Sequence, residues 1–274
     1  MSHAGFQEVE QRLTKLPKEF QIETLSVSGY ECVISCNHLS GFFAIVSIHS
    51  LDLGPSLGGI RVFPYASPQE ALSDALRLSK AMTYKAAVAG VGIGGGKSVI
   101  MVKDPKATGN LFENFGTFVH AFQGRYIAAK DVGVTESDLK NLQKSTPYVV
   151  GLSDDHSSGN PSYFTAWGVF SGIKASLEFA YGSSSLKGIR VALQGLGSVG
   201  MLLAEFLFWS EAELIVSDID PQKRRLAKQR FSAKVVSEEE ILSTPCDIFC
   251  PCALGGVISA KTIASLKAKI VAGA

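Results

Sequence analysis

The sequence predicts an α/β protein built as two units, the second of them a doubly wound parallel sheet. Three observations carry the prediction. Short apolar strands alternate with stretches of helical period through the second half of the chain. A polar seam rich in Gly and Ser, GLSDDHSSGNPS at 151–162, separates that half from the first. The chain has 274 residues, 46% apolar and 19% charged, enough for two ordinary domains each with its own core. The expected units are residues 1–150 and 151–274.

The elements follow in chain order. FFAIVSIHS (42–50) is apolar and β-branched and reads as a strand. SPQEALSDALRLSKAM (67–82) reads as a helix. Ser67 takes the N-cap, Pro68 falls at the first helical position and Glu70 completes a capping box. Ala71, Leu72, Ala75, Leu76 and Leu78 then recur at helical spacing. SVIMV (98–102) reads as a short buried strand, 110–122 as an aromatic-rich helix and RYIAA (125–129) as a strand. Thr135 with Asp138 marks another helix start. Past the seam come a helix at 163–180, a strand at 188–193, a glycine turn and a helix at 199–209. A strand at 213–217, a helix at 221–230 and a strand at 234–236 continue the alternation. Ser237 with Glu240 opens the next helix, and 247–254 and 269–274 hold two more apolar strands.

Composition removes several classes. A formal net charge of +1 argues against nucleic acid or an anionic membrane as partner, because both recruit basic surfaces. No apolar run is long enough to span a bilayer, and the polar start MSHAGFQEVEQRL is unlike a signal peptide. Five cysteines, an odd number in a long chain, suggest reduced thiols and a cytoplasmic location. Cys246, Cys250 and Cys252 lie close together, but with no CxxC pair and no nearby His they read as buried thiols, and no metal is expected.

IRVALQGLGSVGMLLAEFLFW places Gly195, Gly197 and Gly200 in GxGxxG spacing between an apolar strand and an apolar helix. The first glycine permits a tight turn, the second lets backbone approach a pyrophosphate, and the third lets helix pack on strand. Ser198 and Val199 then open the helix whose N–H groups would face the phosphates. This is the signature of a Rossmann-type dinucleotide-binding unit. The next strand ends at Asp218, placed to accept the adenosine ribose hydroxyls and to repel a 2′-phosphate, which favours NAD over NADP. Lys223, Arg224 and Arg225 close behind temper that preference. Asp220, before Pro221, fills the helix-capping role and would leave Asp218 free.

GVGIGGGKSVIM (90–101) packs five glycines ahead of one lysine, Lys97. Glycines let a backbone or a ligand approach closely. The stretch is not a P-loop: its spacing breaks that pattern, and an apolar strand follows where a helix would open. Lys85 lies twelve residues earlier, also among small and apolar residues. If both ammonium groups converge in a cleft, repulsion and desolvation lower one pKa and make that lysine a general base.

LGPSLGGIR (53–61), MTYKAA (82–87), GGGK (94–97), KDVGV (130–134), TAWGVFSGIKA (165–175), GLGSVG (195–200) and PCALGG (251–256) together resemble the Glu/Leu/Phe/Val dehydrogenases, most nearly the leucine dehydrogenase branch. The resemblance runs from about residue 30 to the last residue. It implies an N-terminal α/β substrate unit followed by the Rossmann-type unit. It implies reversible oxidative deamination of an L-amino acid to a 2-oxo acid with release of ammonium. Lys85 would hold the substrate carboxylate, Lys97 would activate water, and Asp131 would move protons at the amino group. Gly58 and Gly59 would line the site with backbone, Leu57 and Ala129 would face the substrate side chain, and Thr165, Cys252 and Ala253 would meet the cofactor. A homo-oligomer is implied as well.

Substrate class rests on one position. Glutamate dehydrogenases carry a lysine where this chain has Leu57, so a glutamate side chain would stand unpaired here. An apolar side chain gains about 0.8 kcal/mol per buried CH₂. Leucine, valine, isoleucine, phenylalanine or tryptophan is therefore expected. The chain departs from the family in two places. Lys130 stands where leucine dehydrogenases have Glu, and is expected to lower the pKa of Asp131. The chain also stops at VAGA, where the family continues into an Asn-containing segment, so the C-terminal part is expected to be missing. That departure motivates an alternative: a catalytically impaired, NAD-binding relative with a regulatory or assembly role.

Overall fold

The computed structural model describes residues 4–102, 110–152 and 160–274. Most of the predicted seam, 153–159, lies outside the described residues. The chain forms two compact units, Met1–Asn160 and Pro161–Ala274.

The first unit runs α1 (Ala4–Leu13), β1 (Phe20–Thr24), β2 (Cys32–His38), β3 (Phe42–Ser50), β4 (Ser56–Phe63), α2 (Pro68–Ala89), β5 (Gly94–Met101), α3 (Leu111–His120), β6 (Tyr126–Lys130) and α4 (Glu136–Gln143). Its strands make one mixed sheet in the order β1-β2-β3-β5-β4-β6. β1, β2, β3 and β5 pair antiparallel, while β4 lies parallel to both β5 and β6. Parallel β4 and β5 need a crossover, and α2 supplies it. Alternate residues face opposite ways. Ile34, Val46, Ile60, Ile100 and Ala128 meet Phe112, Phe115, Phe118 and Phe122 on one side. Val33, Ile45 and Val99 meet Ala71 and Ala75 of α2 on the other. Each buried Phe contributes about 1.5–3 kcal/mol by leaving water.

α2 begins as the sequence reads. The Ser67 hydroxyl accepts the Glu70 N–H, and Pro68 is the first helical residue. The Glu70 carboxylate, however, accepts the N–H of Ala66, not of Ser67. The helix also runs beyond Met82 to Ala89, stopping at Gly90 in the left-handed conformation (φ 64°). It therefore carries Lys85. The α4 capping box of Thr135 and Asp138 is complete.

The glycine run is not a loop before a strand. β5 starts at Gly94, four residues ahead of the expected Ser98, and glycines form its first three positions. Close packing is the reason. A Cβ on Gly95 would stand 2.1 Å from Thr83 Oγ1 and 2.2 Å from the Thr83 nitrogen, because α2 lies directly on this strand. A Cβ on Gly94 would stand 2.1 Å from the Ser50 carbonyl oxygen. The glycines admit the protein's own helix and neighbouring strand, and Lys97 follows at the first position with room for a long side chain.

The second unit runs α5 (Pro161–Tyr181), β7 (Arg190–Gln194), α6 (Ser198–Trp209), β8 (Glu213–Ser217), α7 (Pro221–Phe231), β9 (Lys234–Val235), α8 (Glu238–Ile241), β10 (Ile248–Pro251), a 3-10 turn (Ile263–Ser265) and β11 (Ile270–Val271). All five strands are parallel, in the order β11-β10-β7-β8-β9. Ile173 and Leu177 of α5 and Leu203 and Leu207 of α6 pack on Val191, Leu193 and Val216 of one face. Ile241 of α8 packs on Ala192, Ile215 and Phe249 of the other. This is the doubly wound arrangement expected from the alternation of strand and helix.

Candidate active site

The face of the first sheet that looks toward α2 gathers most of the predicted chemistry. Period-two alternation puts Leu57, Gly59 and Arg61 of β4 on it, with Gly95, Lys97 and Val99 of β5. Ile127 and Ala129 of β6 lie across from Leu57 and Gly59, and Asp131 follows directly after the strand. Gly59 is the hinge point of the cluster. A Cβ there would stand 2.7 Å from Asp131 Cβ and 3.3 Å from Lys97 Nζ. Gly58 has a different role. Its own Cβ would strike the Gly96 carbonyl oxygen at 2.1 Å, and its carbonyl accepts the buried Tyr126 hydroxyl at 2.9 Å. Only Gly59 of the pair borders the two ionised groups.

Lys97 is 5% exposed, and its ammonium donates to Asp131 Oδ2. Burial pushes the Lys97 pKa down, and the nearby Arg61 adds to the fall, while Asp131 and Asp74 pull it back; it stays below the ordinary lysine value. Burial pushes the Asp131 carboxyl up, but Lys97 and Arg61 outweigh burial and hold it below the ordinary carboxylate value. Arg61 Nε lies 3.2 Å from the same Asp131 oxygen.

The expected repulsion between two lysines is not the cause. Lys85 is exposed on α2 and pairs with no acid among the described residues. It stands eleven residues, about three turns, after Asp74, so it shares that helix side. Asp74 bonds Arg61 Nη1 at 2.9 Å, which places this side toward β4. Desolvation, with Arg61, lowers the Lys97 pKa. Lys130 is not among the groups that chiefly hold Asp131 down. Strand alternation gives it the face of Ala128, and the cations that hold Asp131 down are Lys97 and Arg61.

In the second unit the glycine turn has the geometry that a phosphate cradle requires. Gly195 is left-handed (φ 92°), and a Cβ there would lie 2.7 Å from the Ala253 nitrogen and the Cys252 carbonyl. Gly200 sits against Gly195, where a Cβ would stand 1.9 Å from the Gly195 oxygen. Gly197 faces open space and is the N-cap of α6, with no side chain on the N–H groups of a first turn that begins at Ser198 and Val199. Those donors are left for a ligand. The Cys252 N–H donates to the Gln194 carbonyl at 2.7 Å, so Cys252 and Ala253 lie beside the turn. Among the described residues, two buried side-chain oxygens lack a hydrogen-bond partner, Gln194 Oε1 and Ser217 Oγ. They end the adjacent strands β7 and β8. Orphaned polar atoms there, with an uncapped helix start, fit a bound dinucleotide.

Asp218 follows directly after β8 and is 8% exposed. It is not free, as the capping by Asp220 had suggested. Asp220 does cap α7, accepting the Gln222 N–H at 2.8 Å, but Asp218 also accepts two backbone donors. Leu196 N–H reaches its Oδ2 at 2.5 Å and Asp220 N–H its Oδ1 at 2.8 Å. The carboxylate is thereby fixed beside the glycine turn, with lone pairs remaining on each oxygen. Thr165 lies in the second turn of α5 and donates its hydroxyl to the Pro161 carbonyl at 2.9 Å. All five cysteines are free thiols, with Cys250 and Cys252 sulfurs 3.8 Å apart.

Arg61, Asp74 and Tyr65 escaped the sequence reading. Arg61 was visible only as the last letter of LGPSLGGIR. The missed signal is its distance of two residues from Gly59, which on a strand gives the same face.

The chain has well-covered relatives. Residues 29–148 match the family model described as Glu/Leu/Phe/Val dehydrogenase, dimerisation domain. The leucine dehydrogenase of Geobacillus stearothermophilus is 48% identical over 248 residues, covering 89% of this chain and 67% of the relative. The L-tryptophan dehydrogenase of Nostoc punctiforme is 45% identical over 253 residues, covering 92% and 71%. A crystal structure of L-tryptophan dehydrogenase from Nostoc punctiforme superposes with a TM-score of 0.66 at 43% identity, covering 90% of this chain and 70% of that one.

Proposed function

Because the chain belongs to the Glu/Leu/Phe/Val dehydrogenase family, we propose that it oxidises an apolar L-amino acid at Cα to the 2-oxo acid and ammonium, reversibly and with NAD. The observation that carries this reading is the bonded pair of buried Lys97 and half-buried Asp131 against the bare backbone of Gly59. It supplies a base and a proton carrier at a surface where a small planar group can lie. When bound, NAD accepts the hydride that leaves Cα. Lys97 in its amine form takes a proton from the water that attacks the imino carbon, and Asp131 carries protons to and from the departing nitrogen. Lys85, exposed on the same side of α2 as Asp74, binds the substrate carboxylate.

Leu57 and Ala129 shape the side-chain pocket, and Ile127 joins them by register. No cation stands at Leu57 to pair with a glutamate carboxylate. The glycine turn with Ser198 and Val199 binds the pyrophosphate, and Asp218 takes the ribose hydroxyls, favouring NAD over NADP. Thr165, Cys252 and Ala253 line the nicotinamide side. The family's dimerisation description supports self-association, and free thiols support a cytosolic place. Among the described residues no helix is long and apolar enough to cross a membrane. The regulatory alternative has no observation in its favour, because both ionisable groups of the pair are present and bonded to each other, Lys97 buried and Asp131 half-buried.

The test is NADH formation with L-leucine, L-phenylalanine and L-glutamate in turn. Absorbance that grows with either apolar substrate and stays flat with glutamate is the expected outcome. Turnover of glutamate alone would overturn the substrate assignment, and NAD binding without any turnover would overturn the enzymatic one.

A further inference from the structure

The Lys97–Asp131 pair is one link in a longer chain of charges. Asp131 Oδ2 accepts from two cations at once, Lys97 Nζ and Arg61 Nε. Arg61 also donates through Nη1 to Asp74 Oδ2 at 2.9 Å. Asp74 further accepts the Tyr65 hydroxyl at 2.8 Å and Arg77 Nη2 at 2.7 Å. The side chains of Lys97, Arg61, Asp74 and Asp131 are 7%, 13%, 17% and 23% exposed.

Resting on the reading of Lys97 as the base, we propose that Arg61 is a positioning residue that fixes Asp131 and, when Lys97 gives up its proton, keeps it ionised and so ready to take a proton from the substrate nitrogen. Of the less exposed groups, two cations, Lys97 and Arg61, face two carboxylates, Asp131 and Asp74, while Arg77 adds a third cation from the exposed rim. A base must cycle between ammonium and amine. With Lys97 as its sole partner, Asp131 would become an uncompensated buried charge at each cycle. Lys97 would then hold its proton, or Asp131 would take it. Arginine does not deprotonate in proteins, so its charge is constant through the cycle. Its planar fork reaches two carboxylates at once, which the point charge of a lysine does not. α2 sets the geometry, because Asp74 anchors the far arm of the fork and is itself held by Tyr65 and Arg77.

The charged groups that act on Lys97 are Arg61 of β4, Asp74 of α2 and Asp131 after β6; Tyr65 and Arg77 bond Asp74, Lys85 is exposed on α2, and His49 of β3, the strand beside β5, bonds Thr83 of α2 at 2.9 Å. The Tyr126 hydroxyl of β6 is buried on the opposite sheet face, against Ser98. Arg61 lowers the Lys97 pKa and Asp74 raises it. Their removal therefore acts in opposite directions.

The experiment labels the full chain with acetic anhydride across a pH series and quantifies Lys97 acylation by peptide mass spectrometry. Turnover is not needed for the readout. Arg61→Met is expected to raise the half-labelling pH of Lys97 by about one unit or more. Asp74→Asn is expected to lower it. Arg61→Lys, which keeps the charge, is expected to stay nearer the parent value than Arg61→Met. The acid limb of the kcat/KM profile is expected to follow in each variant. A merely structural role would loosen the site in both variants and move both midpoints the same way; that result, or no movement, overturns the proposal. If Arg61→Met does not fold, Asp74→Asn decides alone, a fall supporting and any other outcome overturning. Full turnover in Lys97→Ala would sink the base reading itself, in a separate assay.

Discussion

Lys97 lies within a network of charges, 5% exposed and bonded to an acid that a second cation also grips. Burial disfavours its ammonium, so the amine becomes accessible at a lower pH than for a lysine in water. Removing it should strike chemistry and not coenzyme binding. Lys97→Ala is expected to lower turnover by about 100- to 10,000-fold, the usual contribution of a general base, with the Kd for NAD nearly unchanged. A parallel rise in that Kd, read by fluorescence titration, would contradict the assignment. Asp218 lies in the other unit and has the complementary role. Asp218→Ala is expected to weaken NAD by about 10- to 100-fold, on the scale of hydrogen bonds to a charged group, and to leave the ranking of amino-acid substrates intact. A variant that saturates at the parent's NAD concentration would release Asp218 from this role.

At the scale of the element, α2 and β5 explain the glycine cluster. The helix rests on the strand so closely that Thr83 occupies the space of a Gly95 side chain. Backbone cannot yield as a flexible side chain can. Gly95→Ala is expected to destabilise by about 1–3 kcal/mol in urea denaturation, the cost of overpacking. Gly172, inside α5 with nothing within 4 Å of a Cβ, is the control. Gly172→Ala is expected to stabilise by about 0.5–1 kcal/mol, because alanine loses less conformational freedom in a helix. Equal effects at the two sites would remove close approach as the explanation. α2 also shows where sequence reading succeeded. Ser67 and Pro68 announced its start because caps are local, whereas its run through Lys85 to Gly90 went unmarked, since mixed small and polar residues weaken the helical period. β4 was not recognised as a strand at all. Its two glycines interrupt the β-branched run, and only pairing with β5 and β6 makes SLGGIRVF extended.

In the whole molecule, each unit has its own core, one built around the α3 aromatics and one around α5 and α6. Phe118→Ala is expected to cost about 3–5 kcal/mol and Leu203→Ala about 2–5 kcal/mol, each by leaving a cavity. Hydrogen exchange followed by mass spectrometry should show lost protection in the unit that carries the substitution and not in the other. Loss spread evenly over both would mean that the cores unfold as one. The second unit was the more legible. Its parallel strands and helices alternate at short range, so periodicity alone located nearly every one. The first unit mixes antiparallel and parallel pairing, and its site is drawn from β4, β5, β6 and α2 together.

The sequence by itself determined the α/β class, the glycine turn and the starts of the capped helices, and it singled out Lys97 by the glycines ahead of it. Those are local patterns, whereas Asp131 was named only through the resemblance to the dehydrogenase family, and nothing local pairs it with Lys97. Tertiary structure alone decided that Arg61 and Asp74 join the pair, that Lys85 stays in solvent, and that Gly58 faces away from the site. Each depends on strand register and on which face a residue takes, and neither is fixed until non-neighbouring segments have paired.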